Sequence, residues 1–238
     1  MSRLSVSGLI LSRQDYRERD AIVTMAAPTE ILRFFARGVQ ASASKNKRLT
    51  NPFCEVSLEL EQNVRGSLNL IHGQLVQSFY KISEDLDKQA VCLVINEMIV
   101  RSAMTPGLYD RLRTLWAACQ ENDPDWIAKA ALVICGLLQE CGIAPGVDHC
   151  MVCGKTTGIA SADIEKSGFL CKDHTLTPWK RETLVRLRQA VKVPFGKESL
   201  AKLSGMGMDE LLFLVRWYVY YEQEDLASLR FLESVVRL

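Results

Sequence analysis

The chain has 238 residues, of which 48% are hydrophobic and 24% charged, the balance of a globular protein with room for one large or two modest domains. Its formal net charge is only +1, which excludes a whole-molecule basic field and leaves any polyanion contact to a local patch. No apolar run reaches the roughly 18 residues that span a bilayer, and the start Met1-Ser-Arg-Leu-Ser-Val lacks a signal-peptide core, so the cytoplasm is the expected compartment.

The first eighty residues read as β. Leu4–Leu11 alternates apolar and small polar residues, then the chain turns polar at Ser12-Arg13-Gln14-Asp15. Ala21–Met25 and Ile31–Val39 are further strands, separated by a turn at Ala27-Pro28-Thr29-Glu30. In Phe53–Glu61, Val56, Leu58 and Leu60 alternate with Ser57, Glu59 and Glu61, the period of a half-buried strand. Asn63–Gly66 is a turn. Ser67–Ile71 is the fifth strand, extended by Gln74–Phe79. Five short strands within about 75 residues favour a small barrel over a sandwich.

Near Lys81 the apolar spacing becomes helical, which sets the expected domain boundary: 1–80 as a β-barrel and 81–238 as a mainly α-helical domain, an α+β chain. Ser83-Glu84-Asp85 starts the first helix, which packs through Val91, Leu93, Val94, Met98 and Ile99. Thr105-Pro106-Gly107 ends it. Leu108–Cys119 and Asp125–Gly142 follow. Beyond a cysteine-rich stretch, Pro178–Val191, Lys197–Leu203, Met208–Tyr221 and Leu226–Arg237 are further helices.

That stretch, about 148–176, carries the most specific chemistry. Cys150-Met-Val-Cys153 and Cys171-Lys-Asp-His174 are two pairs at metal-knuckle spacing, matching a tetrahedral zinc site of three sulfurs and one nitrogen. Four protein ligands leave no open position for a bound water, so the zinc is expected to be structural. A deaminase needs His-x-Glu and Pro-Cys-x-x-Cys. The sequence has no His-x-Glu, and His149, not proline, precedes Cys150. His149 is expected outside the ligand set and His72 to be structural. The remaining cysteines, Cys54, Cys92, Cys119, Cys135 and Cys141, lie in apolar text and read as reduced core residues.

A second signal is basic. Arg33, Arg37, Lys45, Lys47 and Arg48 fall within sixteen residues that contain no acid, beside Phe34 and Phe35. Cations that follow phosphates, next to rings that stack on bases, hold single-stranded nucleic acid. The alternative is a solvated loop over two core phenylalanines. A third signal is the C-terminal aromatic text Phe213–Tyr221. It reads mainly as core, although Arg216, or Arg186, Arg188 and Lys192, would suit the border of a peptide groove. Phosphate-loop, dinucleotide, nucleophile-elbow and metalloprotease motifs are absent, so an enzyme is not expected.

The order of these features resembles the RecO family of bacterial recombination mediators. The resemblance rests on Gly8-Leu-Ile-Leu11 with Arg19-Asp20-Ala-Ile-Val-Thr24, and on Ala36-Arg37-Gly38-Val39 followed by Ser44-Lys45 and Leu49-Thr-Asn-Pro52-Phe53. It continues through Gly142-Ile-Ala-Pro145, Cys150-Met-Val-Cys153-Gly154 and Gly168-Phe-Leu-Cys171 to Leu226-Ala-Ser-Leu-Arg230. There are departures. Arg37 replaces the usual lysine, Gln40 stands where arginine is usual, Thr29-Glu30 lacks a glycine, and His174 replaces a common cysteine. Some members of that family lack the quartet.

The resemblance implies an oligonucleotide-binding (OB) barrel before a helical domain with an inserted zinc module. It implies binding of single- and double-stranded DNA and annealing of complementary strands. It also implies partnership with RecR and with the C-terminal tail of single-strand-binding protein, so that RecA loads onto coated DNA. That role is cytoplasmic and nucleoid-associated. A zinc-stabilised protein-interaction adaptor without direct DNA binding is the alternative.

Overall fold

The structure, a computed structural model, describes residues 2–42, 44–193 and 203–236. It forms two compact units, Met1–Glu121 and Asn122–Leu238.

The first unit contains β1 (Ser2–Tyr16), β2 (Asp20–Ala26), β3 (Ile31–Ala36), β4 (Cys54–Gln62) and β5 (Leu68–Ser78). They close into a barrel in the order β1-β2-β3-β5-β4. Alternation decides which side chains fill it: Val56, Leu58 and Leu60 of β4 point inward, as do Leu32, Phe34 and Ala36 of β3. One long strand makes closure possible. β1 pairs with β4 from Ser2 to Ile10 and with β2 from Leu9 to Tyr16, with an irregularity between Ile10 and Ser12. Gly8 sits at this crossing, where any Cβ would overlap the Ala26 carbonyl oxygen.

β1 runs five residues past the expected end at Leu11. Ser12–Tyr16 pairs with β2 where both faces see solvent, so pairing there leaves no hydrophobic pattern. β3 is shorter than expected, because Arg37–Gln40 forms a turn. The two segments expected after Asn63 are one continuous strand, β5.

Three helices complete this unit: α1 (Lys81–Glu84), α2 (Leu86–Val100) and α3 (Pro106–Glu121). The Asp85 carboxylate caps α2, accepting from the Asp87 and Lys88 amides at 3.1 and 3.2 Å. Pro106 opens α3, and Thr105 Oγ1 accepts from Leu108 N. Asn96 of α2 donates to the Leu11 carbonyl at 3.0 Å. Trp116 of α3 is fully buried, edge-on to Phe53 and Phe79. The text changes from strand to helix near residue 81, while the compact unit continues to Glu121.

The second unit contains α4 (Trp126–Glu140), the hairpin β6 (Ile159–Asp163) and β7 (Gly168–Cys171), α5 (Arg181–Lys192), α6 (Met208–Glu222) and α7 (Ala227–Val236). α4 is apolar on most of its circumference and packs against α5 and α6. Trp217 of α6 donates to the Ile143 carbonyl at 2.7 Å, and the Tyr221 hydroxyl donates to the Ile164 carbonyl at 2.7 Å. These contacts tie α6 to the chain just before the cysteine-rich insertion and to the turn of its hairpin. The helix expected at Lys197–Leu203 lies outside the described residues, apart from Leu203. No described helix is long and apolar enough to cross a membrane.

Candidate nucleic-acid interface and metal centre

All five residues of the basic signal are exposed. Arg33 lies on the outer face of β3, with Leu32 and Phe34 inward on either side. Arg37 follows the end of that strand. Lys47 and Arg48 belong to a 3₁₀ turn, Lys47–Thr50, and Lys45 precedes it.

The segment between β3 and β4 is latched at both ends. At its start, the Asp20 carboxylate accepts from Gly38 N at 2.9 Å, and the Gln40 side-chain amide donates to the Asp20 carbonyl at 2.9 Å. This joins Arg37 to the turn between β1 and β2. At its end, Asn46 donates to the Ile71 carbonyl of β5, and Leu49 and Thr50 are buried. Arg13 of β1 donates to the Thr50 hydroxyl at 3.3 Å. The loop therefore presents its cations from a fixed base.

Among the described residues none of these five enters an ion pair, whereas Arg13, Arg113 and Arg186 do. Their charge is left to solvent and to whatever anion approaches.

The two phenylalanines part company. Phe34 is a core residue, 1% exposed. Phe35 points outward, paired with Ile22 on β2 and Asn69 on β5. Its ring meets that of Tyr16 edge-on, with centroids 5.8 Å apart, and the Arg17 guanidinium lies 5.2 Å from the Tyr16 centroid. Tyr16, Arg17 and Arg19 were not legible as site residues. They sit in a polar turn, and only the strand register (Tyr16 with Asp20, Ile22 with Phe35) brings them beside Arg37.

In the second unit the structure brings Cys150, Cys153, Cys171 and His174 together, with all four ligand atoms within 4.8 Å of one another. Cys153 Sγ and Cys171 Sγ are 3.8 Å apart. His174 Nδ1 is 3.3 Å from Cys171 Sγ and 3.6 Å from Cys150 Sγ. A tetrahedral site with Zn–S bonds near 2.3 Å has ligand–ligand edges of about 3.8 Å for sulfur and somewhat less for nitrogen, so this donor set fits one metal ion.

Local backbone bonds build the pocket. Gly154 N donates to the Cys150 carbonyl and Cys150 N to the Lys155 carbonyl, both at 2.8 Å, which folds the first knuckle. His174 N donates to the Cys171 carbonyl at 2.9 Å, which folds the second. β7 carries Cys171, and it is placed by a close approach at Gly168, which has φ +150° and where a Cβ would overlap the Gly146 backbone. Burial pushes the Cys150 thiol up, but the amides of Cys171, Cys153 and Val152 outweigh it and hold the pKa at about 6. Cys171 is raised, chiefly by burial. His149 is exposed and outside the cluster. His72 is exposed on β5, 3.5 Å from Glu59. The other five cysteines lie outside the quartet, all buried except the half-buried Cys141.

A cavity of about 590 Å³ lies between α5 and α6, lined by Trp179, Phe213 and Leu212 with Lys180, Arg186 and Arg216. Arg186 is paired with Glu210, and Arg216 with Glu233, each at 2.7 Å. Arg188 and Lys192 do not line it; both pair with Asp148.

Comparison with known proteins bears on both regions. The family model "Recombination protein O N terminal" matches residues 1–79, and "Recombination protein O C terminal" matches residues 83–229. A DNA repair protein RecO from Bacillus velezensis is 27% identical over 242 residues, covering 96% of this chain and 93% of the relative. The Bacillus subtilis protein of the same name has the same identity and coverage. That of Syntrophomonas wolfei is 25% identical, covering 87% of this chain and 80% of its own length. Both halves of the chain are matched in order, and it belongs to the RecO family of DNA repair proteins.

Proposed function

We propose that the chain is a non-enzymatic mediator of DNA repair and homologous recombination. It binds single- and double-stranded DNA, anneals complementary strands and, with RecR, helps load RecA onto DNA coated by single-strand-binding protein. The observation that carries the DNA-binding reading is the set of five exposed cations, Arg33, Arg37, Lys45, Lys47 and Arg48, on the outer face of β3 and along the tethered loop that follows it. The strand order β1-β2-β3-β5-β4 agrees with an OB fold. With a net charge of +1, purchase on a polyanion has to come from a local patch of this kind.

The cations neutralise phosphates on each of two strands, which lowers the repulsion that opposes pairing, and base pairing itself then selects the partner strand. No covalent step is required of the protein. The helical unit would hold RecR and the tail of single-strand-binding protein. Zinc held by Cys150, Cys153, Cys171 and His174 would cross-link the insertion, and with four protein ligands it would leave no position for substrate. The expected location is cytoplasmic and nucleoid-associated.

Fluorescence polarisation with a labelled single-stranded oligonucleotide across a salt series tests this. The triple variant Arg37→Ala, Lys45→Ala, Arg48→Ala should bind more weakly, and removal of each cation that neutralises a phosphate should flatten the log–log salt slope by about 0.7. An unchanged slope would remove the patch from the DNA contact. No binding by the native chain would favour an adaptor whose barrel contacts protein.

A further inference from the structure

The outer face of the barrel holds a feature that phosphate neutralisation does not use. Tyr16 ends β1, Phe35 lies near the end of β3, and their rings touch edge-on at 5.8 Å. Tyr16 is 38% exposed, a large ring left in water without a core to fill. Phe35 is half-buried on the solvent side of β3, two residues from Arg33 and two from Arg37, so the aromatic position alternates with the cations at the strand repeat. Arg17 reaches over the Tyr16 ring at 5.2 Å. Its φ of +55° is unusual for a residue with a side chain. Arg19 is exposed in the same turn. The acids nearby are Asp15, which is paired with Arg13, Glu18, which is exposed, and Asp20, whose carboxylate is engaged by Gly38 N. The balance beside the rings is therefore basic.

We propose that Tyr16 and Phe35 form a stacking platform for an unpaired nucleobase, flanked by Arg17 and Arg37 on the phosphates, and that this platform lets the barrel prefer single-stranded DNA over duplex. The inference rests on the DNA-binding reading of the basic loop and adds a specificity determinant to it. A cation reads a phosphate equally in either form. A ring stacks only on a base that is free to leave its neighbours, and in a duplex every base is already stacked and paired. The platform acts on any base, because every base has a π face, so it adds affinity for single strands without reading sequence. Arg17 contributes twice, since a guanidinium held against a ring remains planar and open on its far side for a base or a phosphate.

The test uses the full chain with Tyr16→Ala, Tyr16→Leu and Tyr16→Phe. Each variant is titrated against labelled oligothymidylate, an abasic strand of the same length, and a duplex, at several salt concentrations. Tyr16→Leu keeps apolar contact with Phe35 and guards against a folding defect in Tyr16→Ala. The expected result is a loss of about 5- to 150-fold on oligothymidylate for the Ala and Leu variants, no loss on the abasic strand or the duplex, an unchanged salt slope, and near-native binding by Tyr16→Phe. Equal losses on all three ligands, or none on oligothymidylate while native binding stays salt-dependent, would overturn the platform and leave the cation patch standing. Failure of the native chain to bind any of the three would overturn both.

Discussion

Asp20 and Gly38 are joined by a 2.9 Å hydrogen bond from the Gly38 amide to the Asp20 carboxylate. It fixes the turn between the first two strands to the loop that carries Arg37. Replacing Asp20 with alanine leaves a part-buried amide without its acceptor, at a cost of about 1–2 kcal/mol. In a protein of this size each 1 kcal/mol lowers the thermal midpoint by about 2–4 °C. Asp20→Asn keeps an acceptor oxygen and should retain most of that stability. The alanine variant also removes a negative charge beside Arg37, so its DNA affinity should not fall by electrostatics alone. A fall in single-strand affinity for Asp20→Ala but not Asp20→Asn would show that loop order matters to binding. Calorimetry and polarisation on the two variants decide this.

Removal of metal is expected to separate stability from DNA binding. The four candidate ligands lie on two turns at either end of the short β6–β7 hairpin, and Cys153 and His174 are exposed, so the insertion has little core of its own. Chelation, or Cys150→Ser, should lower the thermal midpoint and leave oligonucleotide affinity unchanged. Loss of DNA binding by a sample whose helical content and midpoint are native would contradict a supporting role for the metal.

Chemistry set by local spacing was legible in the sequence, and chemistry set by register was not. The two knuckles could be read because each pair lies within one turn of chain, and the structure brings all four ligands together. β4 could be read because one of its faces is buried and the other is wet. The second half of β1 could not, since Ser12–Tyr16 pairs without burying a face. Phe34 and Phe35 are adjacent in sequence, and only the pleat sends one to the core and the other to the surface. Tyr16 and Arg17 look like the rim of a turn until the pairing of β2 with β3 brings Phe35 to them.

Arg186 and Glu210 should make the helical unit acid-sensitive. Their side chains are only 20% and 10% exposed, and Glu210 accepts from Arg186 at 2.7 Å and from Gly207 N at 3.0 Å. Burial pushes the Glu210 carboxyl up, but the guanidinium and the helix amides outweigh it, and the net pKa lies below the usual 4.5. A depressed carboxylate contributes stability that is complete above the unfolded-state pKa and is lost as pH falls through the folded-state value. Glu210→Gln leaves the largely buried Arg186 without its partner charge but with an acceptor oxygen, and should cost about 1.5–3 kcal/mol at neutral pH. The difference from the native chain should shrink as pH falls below the ordinary carboxylate range. Denaturant melts at neutral and acid pH measure both; a gap that widens in acid would reverse the assigned sign.

Gln40 offers a gain-of-function test of the basic loop. It stands where the family stretch resembled by this chain usually carries arginine, and its amide here donates to the Asp20 carbonyl at 2.9 Å. The position therefore lies at the latch, three residues after Arg37 in the same turn. An arginine there still has N–H donors for the Asp20 carbonyl and places an additional charge at the start of the loop. Gln40→Arg should tighten single-strand binding and steepen the log–log salt slope by about 0.7, the increment for one further neutralised phosphate. Thermal stability should stay near native, because the latch keeps a donor. A steeper slope would place residue 40 on the DNA path. An unchanged slope with native stability would place the path on the Lys45–Arg48 side of the loop and away from the latch.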